Sequence, residues 1–501
     1  MAQADRTATS CRLGQALRLG QGAVVSARAP MKRALLAGLG FLGAAALACG
    51  ASASDGARLL FAGDVLLARE VAHEIELRKQ SPWAGLALIR DADFAMANFE
   101  GAVGEAEGCA GMNPCFAVQP KLLRYLAEAG FKAVGVANNH AGDLGDPGRS
   151  ATRTELEKLS IGALDFEHSP GFVRIKGRLV ALVAISQVAG RDGHIDPVPS
   201  LDAERKLRLA RTLADWVIVF IHWGSELKDW PQDAQRQTAD WLIAHGTDVV
   251  IGHHPHVVIP PECIQGRPVF YSLGNHVFDQ KYEITKTGML ADCRIAGDTL
   301  SCRPLTTRTP TGSSFPRLDT AQADDPRLSD CAVRAGPGLT VAGKRLQPWG
   351  DDRRLMTGPM VIEGSANGRP DWKMAGRDVL AMETGQLIPS HADVLVTLEQ
   401  HHSPIDKEDS PRPYVYDVTD HGLVARWRGS ALAWPLIDTR LVQGADGSAY
   451  LCALHRGDSF LQLDPGTRAT RRMLYKWSGF GFSAAEDPIA TQHCEAVYPR
   501  D

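Results

Sequence analysis

The strongest constraint on the fold is a series of short, continuous apolar runs separated by amphipathic stretches. The runs are Leu59–Ala62, Phe94–Ala97, Val134–Ala137, Leu179–Ile185, Val217–Ile221, Val249–Ile251 and Val269–Leu273. Between several of them, Pro120 to Ala129, Thr152 to Leu159, Ala203 to Ala214 and Gln235 to His245 place apolar residues on one helical face. Continuous apolar strands need cover on both faces, and amphipathic helices supply it, so the pattern predicts α/β layering. The balance of 54 basic and 58 acidic residues, a net charge of −4, argues against a dedicated nucleic-acid binder. At 501 residues with 44% apolar content, the chain is globular and long enough for two or three domains.

The amino-terminal 53 residues read differently. An uncharged run from Ala34 to Ala51 follows Lys32 and Arg33 and precedes Ser52 and Ala53, the pattern of a secretory signal peptide. A retained membrane anchor and a lipoprotein at Cys49, with an imperfect lipobox, are the competing readings. Residues 1–30 fit no signal architecture, which makes them an upstream extension and Met31 the expected start. Cleavage after Ala53 removes Cys11 and Cys49 of the ten cysteines. The remaining even set fits disulfides in an exported chain, with Cys109/Cys115 and Cys293/Cys302 the expected local pairs. The protein is therefore expected in the periplasm or cell envelope, touching membrane only through an uncleaved signal or a lipid anchor.

After residue 303 the character changes. Arg303 to Arg317 is rich in Pro, Thr and Ser and reads as a linker, so 304–360 is expected to be a linker or irregular insertion. Residues 361–501 read as a mostly β accessory region. Its strand-like pieces are Tyr414–Val418, Leu423–Trp427, Tyr450–Leu454 and Ser459–Leu463, with a hairpin turn at Gly444-Ala445-Asp446-Gly447. Trp427, Arg428, Trp434, Arg456, Tyr475 and Trp477 could form an aromatic and basic surface for a polymer or partner, but core packing is the preferred reading for at least half of them.

Chemistry collects where the amino-terminal runs end. They lead into Asp64, then Asn98-Phe99-Glu100, then Asn138-Asn139-His140 with Asp143, then His222, and finally His253-His254-Pro255-His256. Sites in α/β sheets lie beyond the carboxyl ends of the strands, so these residues should share one rim. Taken singly, each has a plain reading: a helix cap for Asp64, a turn for Asn138-Asn139, a solvated Glu100, a core histidine for His222. Three imidazoles within four residues are harder to explain by packing. Carboxylate, amide and imidazole donors together suit Mn, Fe, Zn or Ni, one or two ions per chain. The expected ligands are Asp64, Glu100, Asn139, His222, His254 and His256, with His253 in reserve. No Gly-rich phosphate loop and no Gly-x-Ser-x-Gly elbow is present.

These motifs, in this order and joined by Ser272-Leu273-Gly274-Asn275, resemble the CapA-type capsule synthesis (poly-γ-glutamate biosynthesis) proteins, a branch of the calcineurin-like metallophosphoesterase fold. The resemblance covers about residues 57 to 295, within a domain expected at 57–303. It implies a four-layer α/β/β/α sandwich around a two-metal rim, with the smaller β region appended. It also implies His140 as acid or substrate-oxygen holder and Asp143 as its orienting partner. One departure stands out: the family's Asp-x-His is here Asp64-Val65-Leu66, which leaves one ion without an imidazole unless His253 substitutes. His276 stands where an aromatic is expected, as a rim or surface histidine. Three functions follow as expectations. The first is an exported metal-dependent hydrolase or transferase acting on an anionic envelope polymer or its precursor, alongside other capsule-synthesis membrane proteins. The second is a non-catalytic component that binds or helps to export such a polymer. The third, disfavoured by Leu66, is a periplasmic phosphatase.

Overall fold

A computed structural model describes residues 56–109, 114–321, 324–366, 368–402, 409–429, 432, 434–457 and 470–499. The signal region, Met31, Cys11, Cys49 and the Ser459–Leu463 strand lie outside the described residues. Two mixed sheets face one another. In the first, Ala57–Val65 is flanked on one side by the parallel strands Phe94–Phe99, Ala133–Gly135 and Gly162–Leu164. On its other side it pairs with the antiparallel hairpin Thr287–Ala296 and Thr299–Arg308. In the second, Arg178–Ser186, Trp216–His222, Val249–His253 and Arg267–Phe270 run parallel.

The apolar runs are continuous because each strand is buried on both faces. Leu59 and Phe61 join Val180, Leu182, Trp216, Ile218 and Phe220 in the core between the sheets. Leu60 and Ala62 point the other way, toward helices Arg69–Arg78 and Arg124–Ala129. Val217, Val219 and Ile221 face helices Leu201–Leu213 and Asp233–Ala244 on the far side of the second sheet. The layers are thus α/β/β/α, as expected.

The stretch 304–360 is not a linker. Strand Thr299–Arg308 carries the first sheet past residue 303, with Leu300, Cys302 and Pro304 buried and Ser301 and Arg303 exposed between them. Ala332–Arg334 pairs with that strand, and Leu355–Met356 adds an edge to the second sheet. A Pro/Thr/Arg composition hid an alternating, half-exposed strand. Downstream, three four-stranded antiparallel sheets confirm the β-rich carboxy-terminal region. Its apolar residues Ile362, Trp372, Leu395 and Tyr416 pack into the cluster that covers the second sheet. Arg208 of the Leu201–Leu213 helix pairs with buried Asp438 at 2.9 Å across that contact. The proposed aromatic surface does not hold together: Tyr475 and Trp477 are core residues, while Arg428 and Arg456 are exposed. No helix among the described residues is long and apolar enough to cross a membrane.

Among the described residues four disulfides form, Cys109–Cys115 and Cys293–Cys302 as expected, with Cys263–Cys331 and Cys452–Cys494. Cys263 lies on an edge strand of the second sheet, and Cys331 immediately precedes a strand of the first. That bond therefore staples the two sheets, closing a separation of 68 residues. Chain entropy assigns such a closure about 4 kcal/mol. The Cys263→Ala/Cys331→Ala double variant is expected to lose stability of that order in chemical denaturation, and to unfold at clearly lower denaturant than wild type.

Candidate metal centre

Strand register brings the candidate residues together. In the first sheet Asp64 lies opposite Asn98 on one side and Asn275 on the other. In the second sheet His222 lies opposite His253. Neighbouring segments within each sheet approach so closely at this end that only glycine fits. A Cβ on Gly63 would stand 2.0 Å from the carbonyl oxygen of Gly274, and one on Gly252 would stand 2.2 Å from that of Tyr271. Beyond Gly252 the chain turns sharply, with His254 at φ 94° and His256 at φ 59°. Such conformations are costly for residues with a Cβ and concentrate at functional sites.

The centre holds two fully buried carboxylates among imidazoles. Asp64 and Glu100 have no solvent exposure, and His222 and His253 have 1% or less. His253 Nδ1 and His256 Nδ1 each lie 3.2 Å from Asp64, on its two different oxygens. His256 Nε2 is 3.7 Å from Glu100 Oε2. The ligand atoms of Asp64, Glu100 and His256 all fall within 4.8 Å of one another, and so do those of Glu226, His254 and His256. Asn139 Oδ1 reaches His222 Nε2 at 2.9 Å, and the rings of His222 and His254 stand 4.7 Å apart. The six expected ligands therefore do converge.

Asn98 organises this cluster and was not among the expected residues. Its side-chain amide donates to Asp64 Oδ1 at 2.9 Å and to Glu100 Oε1 at 3.0 Å, with His222 Nδ1 at 3.2 Å. Asn275 Oδ1 lies 2.9 Å from His256 Nδ1. Both asparagines stand inside the motifs quoted above, but their roles arise only from cross-strand register. The pair His140 and Asp143 adjoins the cluster. His140 Nδ1 is 2.9 Å from Asp143 Oδ2, which also accepts from the Phe116 backbone N–H at 2.7 Å. Arg191 Nε donates to the other Asp143 oxygen at 3.1 Å, and His140 stacks on Phe116 with ring centres 3.8 Å apart. Asp143 thereby fixes the ring and leaves Nε2 as the nitrogen it does not engage. Arg191 and Phe116 carried no sequence signal, being distant in the chain.

The electrostatics follow from burial and from the close packing of these ionisable groups. Burial pushes Asp64 up, but contacts with His253 and His256 outweigh it and hold the carboxyl well below its usual range. Burial, followed by the charge of Asp64, pushes Glu100 well above its usual range. Burial opposes charge on His256, yet Glu100 and Asp64 raise it to about 9. Burial, then His256, lowers His254 to about 4. Several buried ligand atoms have no hydrogen-bond partner: Glu100 Oε2, His254 Nδ1 and His253 Nε2. Buried polar atoms are rarely left so, and one explanation is an ion. The donor set, two carboxylates with imidazoles and an amide, fits divalent transition metals.

Leu66 has no solvent exposure and packs in the core beneath the first sheet, in keeping with the departure noted at that position. One sequence expectation fails here. His276 is neither a rim nor a surface residue. It is 1% exposed, with Trp83 and Phe131 at ring distances of 6.3 and 6.4 Å. Burial alone lowers it to about 3, against about 6.5 when unfolded. The native ring stays neutral where the unfolded one protonates, so its contribution is present above pH 6.5 and is lost as pH falls toward 3. Relative to His276→Leu, wild type is expected to lose about 2–3 kcal/mol between pH 7 and pH 4.5. Denaturation at both pH values measures this.

The model for the bacterial capsule synthesis protein PGA_cap matches residues 58–280. The PGA biosynthesis protein CapA of Bacillus subtilis (strain 168) is 29% identical over 248 residues, 46% of this chain and 65% of its own length. The capsule biosynthesis protein CapA of Bacillus anthracis is 28% identical over 257 residues, 46% of this chain and 61% of its own. The uncharacterized protein y4sH of Sinorhizobium fredii is 36% identical over 81 residues, 16% of this chain and 17% of its own. The chain thus spans a little under two thirds of the length of the two CapA relatives. Residues 58–280 are thus similar to the bacterial capsule synthesis protein PGA_cap and to the two CapA relatives.

Proposed function

We propose that the protein is an exported, metal-dependent hydrolase or transferase acting on an anionic envelope polymer, such as a polyglutamate, or on its precursor. The observation that carries this reading is the convergence of the buried ligand atoms of Asp64, Glu100 and His256 within 4.8 Å of one another, beside His254 Nδ1, which has no hydrogen-bond partner. Divalent ions bound there supply activated water and neutralise charge on a phosphoryl or acyl oxygen. Asp64, Glu100, Asn139, His222, His254 and His256 are the residues to hold them. Asn98 aligns both carboxylates. His140, oriented by Asp143, presents Nε2 to give a proton to a leaving group. A polar cleft of about 630 Å³ borders Asn138, but its lining sets Arg149, Arg205 and Lys206 among six acids, Asp146, Asp165, Glu167, Asp192, Asp196 and Asp202, so it does not by itself favour an anionic chain. The names of the two CapA relatives support the capsule and poly-γ-glutamate context, and the four disulfides support an oxidising compartment.

The burial of Leu66 favours one alternative, in which the centre holds ions and polymer carboxylates without turnover and the protein helps to bind or export the polymer. Metal content by mass spectrometry, followed by a turnover screen on phosphoesters and γ-glutamyl amides, separates the two. Two equivalents of transition metal with turnover support the enzyme, and metal without turnover supports the binding protein. Absence of metal in wild type after reconstitution with Mn, Fe, Zn or Ni contradicts both. The His254→Ala/His256→Ala variant is expected to lose the metal. Asn98→Ala is expected to remain folded and to bind metal about 10- to 100-fold more weakly, as for other residues that orient ligands.

A further inference from the structure

Leu66 leaves the centre one donor short, and the structure places another acid beside it. Glu226 follows His222 by four residues, in a loop that returns to the His254–His256 turn. Two backbone hydrogen bonds fasten that loop on either side of Glu226: Trp223 N–H donates to the His253 carbonyl at 3.1 Å, and Leu227 N–H donates to that of Pro255 at 2.9 Å. Both loops hold positive φ, Gly224 at 81° and Leu227 at 61° facing His254 at 94° and His256 at 59°. A leucine in that conformation is unusual, and it persists only where the surroundings impose it. The result is that a ligand oxygen of Glu226 lies within 4.8 Å of ligand nitrogens of His254 and His256. His254 is only 6% exposed, and its Nδ1 has no hydrogen-bond partner.

We infer that Glu226 is a metal ligand, which with His254 completes the outward position of the centre, while Asp64 and Glu100 serve the inward one. His256 belongs to both groups of donors, but a neutral imidazole offers one lone pair and so serves one ion. Without Glu226 the outward position rests on imidazoles and the Asn139 amide. With it, that position would gain a charged oxygen donor that offsets one of the ion's two charges. Glu226 is exposed, unlike the other carboxylates, so this ligand sits on the solvent side, where a substrate anion would displace or join it. The inference rests on the metal-binding reading above.

The test is metal stoichiometry and affinity of the full chain as wild type, Glu226→Gln and Glu226→Ala, by mass spectrometry and Mn titration. Melting temperatures of the metal-free proteins are compared alongside. The expected result is two equivalents in wild type and loss of one in both variants, or at least tenfold weaker binding of that ion. Melting temperature without metal should be unchanged. Variants that bind both ions as wild type does overturn the role of Glu226 and leave the metal centre standing. A wild type that binds no metal overturns the metal centre, and this inference with it.

Discussion

Two carboxylates without solvent exposure, Asp64 and Glu100, face a ring of imidazoles, and the rest of the amino-terminal architecture is arranged around that cost. Buried charge is expensive unless it is paired and hydrogen-bonded. Here it is paired only in part. Against the cost of burial, Glu100 and Asp64 raise His256 to about 9, and burial pushes Glu100 well above its usual range. A fold that needed only stability would replace such a cluster with apolar side chains. Its retention at the meeting of two sheets is the physical basis for reading it as a site.

The scaffold holds the cluster through backbone geometry. Cross-strand register sets Asp64 beside Asn98 and Asn275, and His222 beside His253, so the donors inherit the rigidity of the sheets. Gly63 and Gly252 allow the backbones to approach where any Cβ would collide with a carbonyl. At the opposite margin Cys263–Cys331 ties one sheet to the other, and Trp216 Nε1 donates to the Val333 carbonyl at 3.2 Å across the same seam. The carboxy-terminal β region adds weight to the outer face of the second sheet through Arg208 and Asp438, and so stiffens the helix layer behind the His222 strand.

Much of this was legible in the sequence, for identifiable reasons. Strands buried on both faces read as unbroken apolar runs, and each chemical residue follows its run directly, so both the layers and the six ligand candidates could be read. The helix Arg69–Arg78 escaped notice because only Val71 and Ile75 are buried in it. Thr299–Arg308 escaped because its Pro, Thr and Arg residues suggest a loop, although they alternate inward and outward. His276 shows that a sequence does not reveal which face of a sheet a histidine takes. Asn98, Arg191 and Glu226 act through space, by register or by loop pinning, and spacing along the chain carries no trace of that.

The central claim is that the carboxyl ends of two sheets form one metal centre. Anomalous X-ray diffraction from crystals of the full chain loaded with Mn tests it most directly. The account predicts two peaks about 3.5–4 Å apart, bounded by Asp64, Glu100, His222, His254 and His256. The absence of a peak there under saturating metal, or peaks only elsewhere on the molecule, would contradict it.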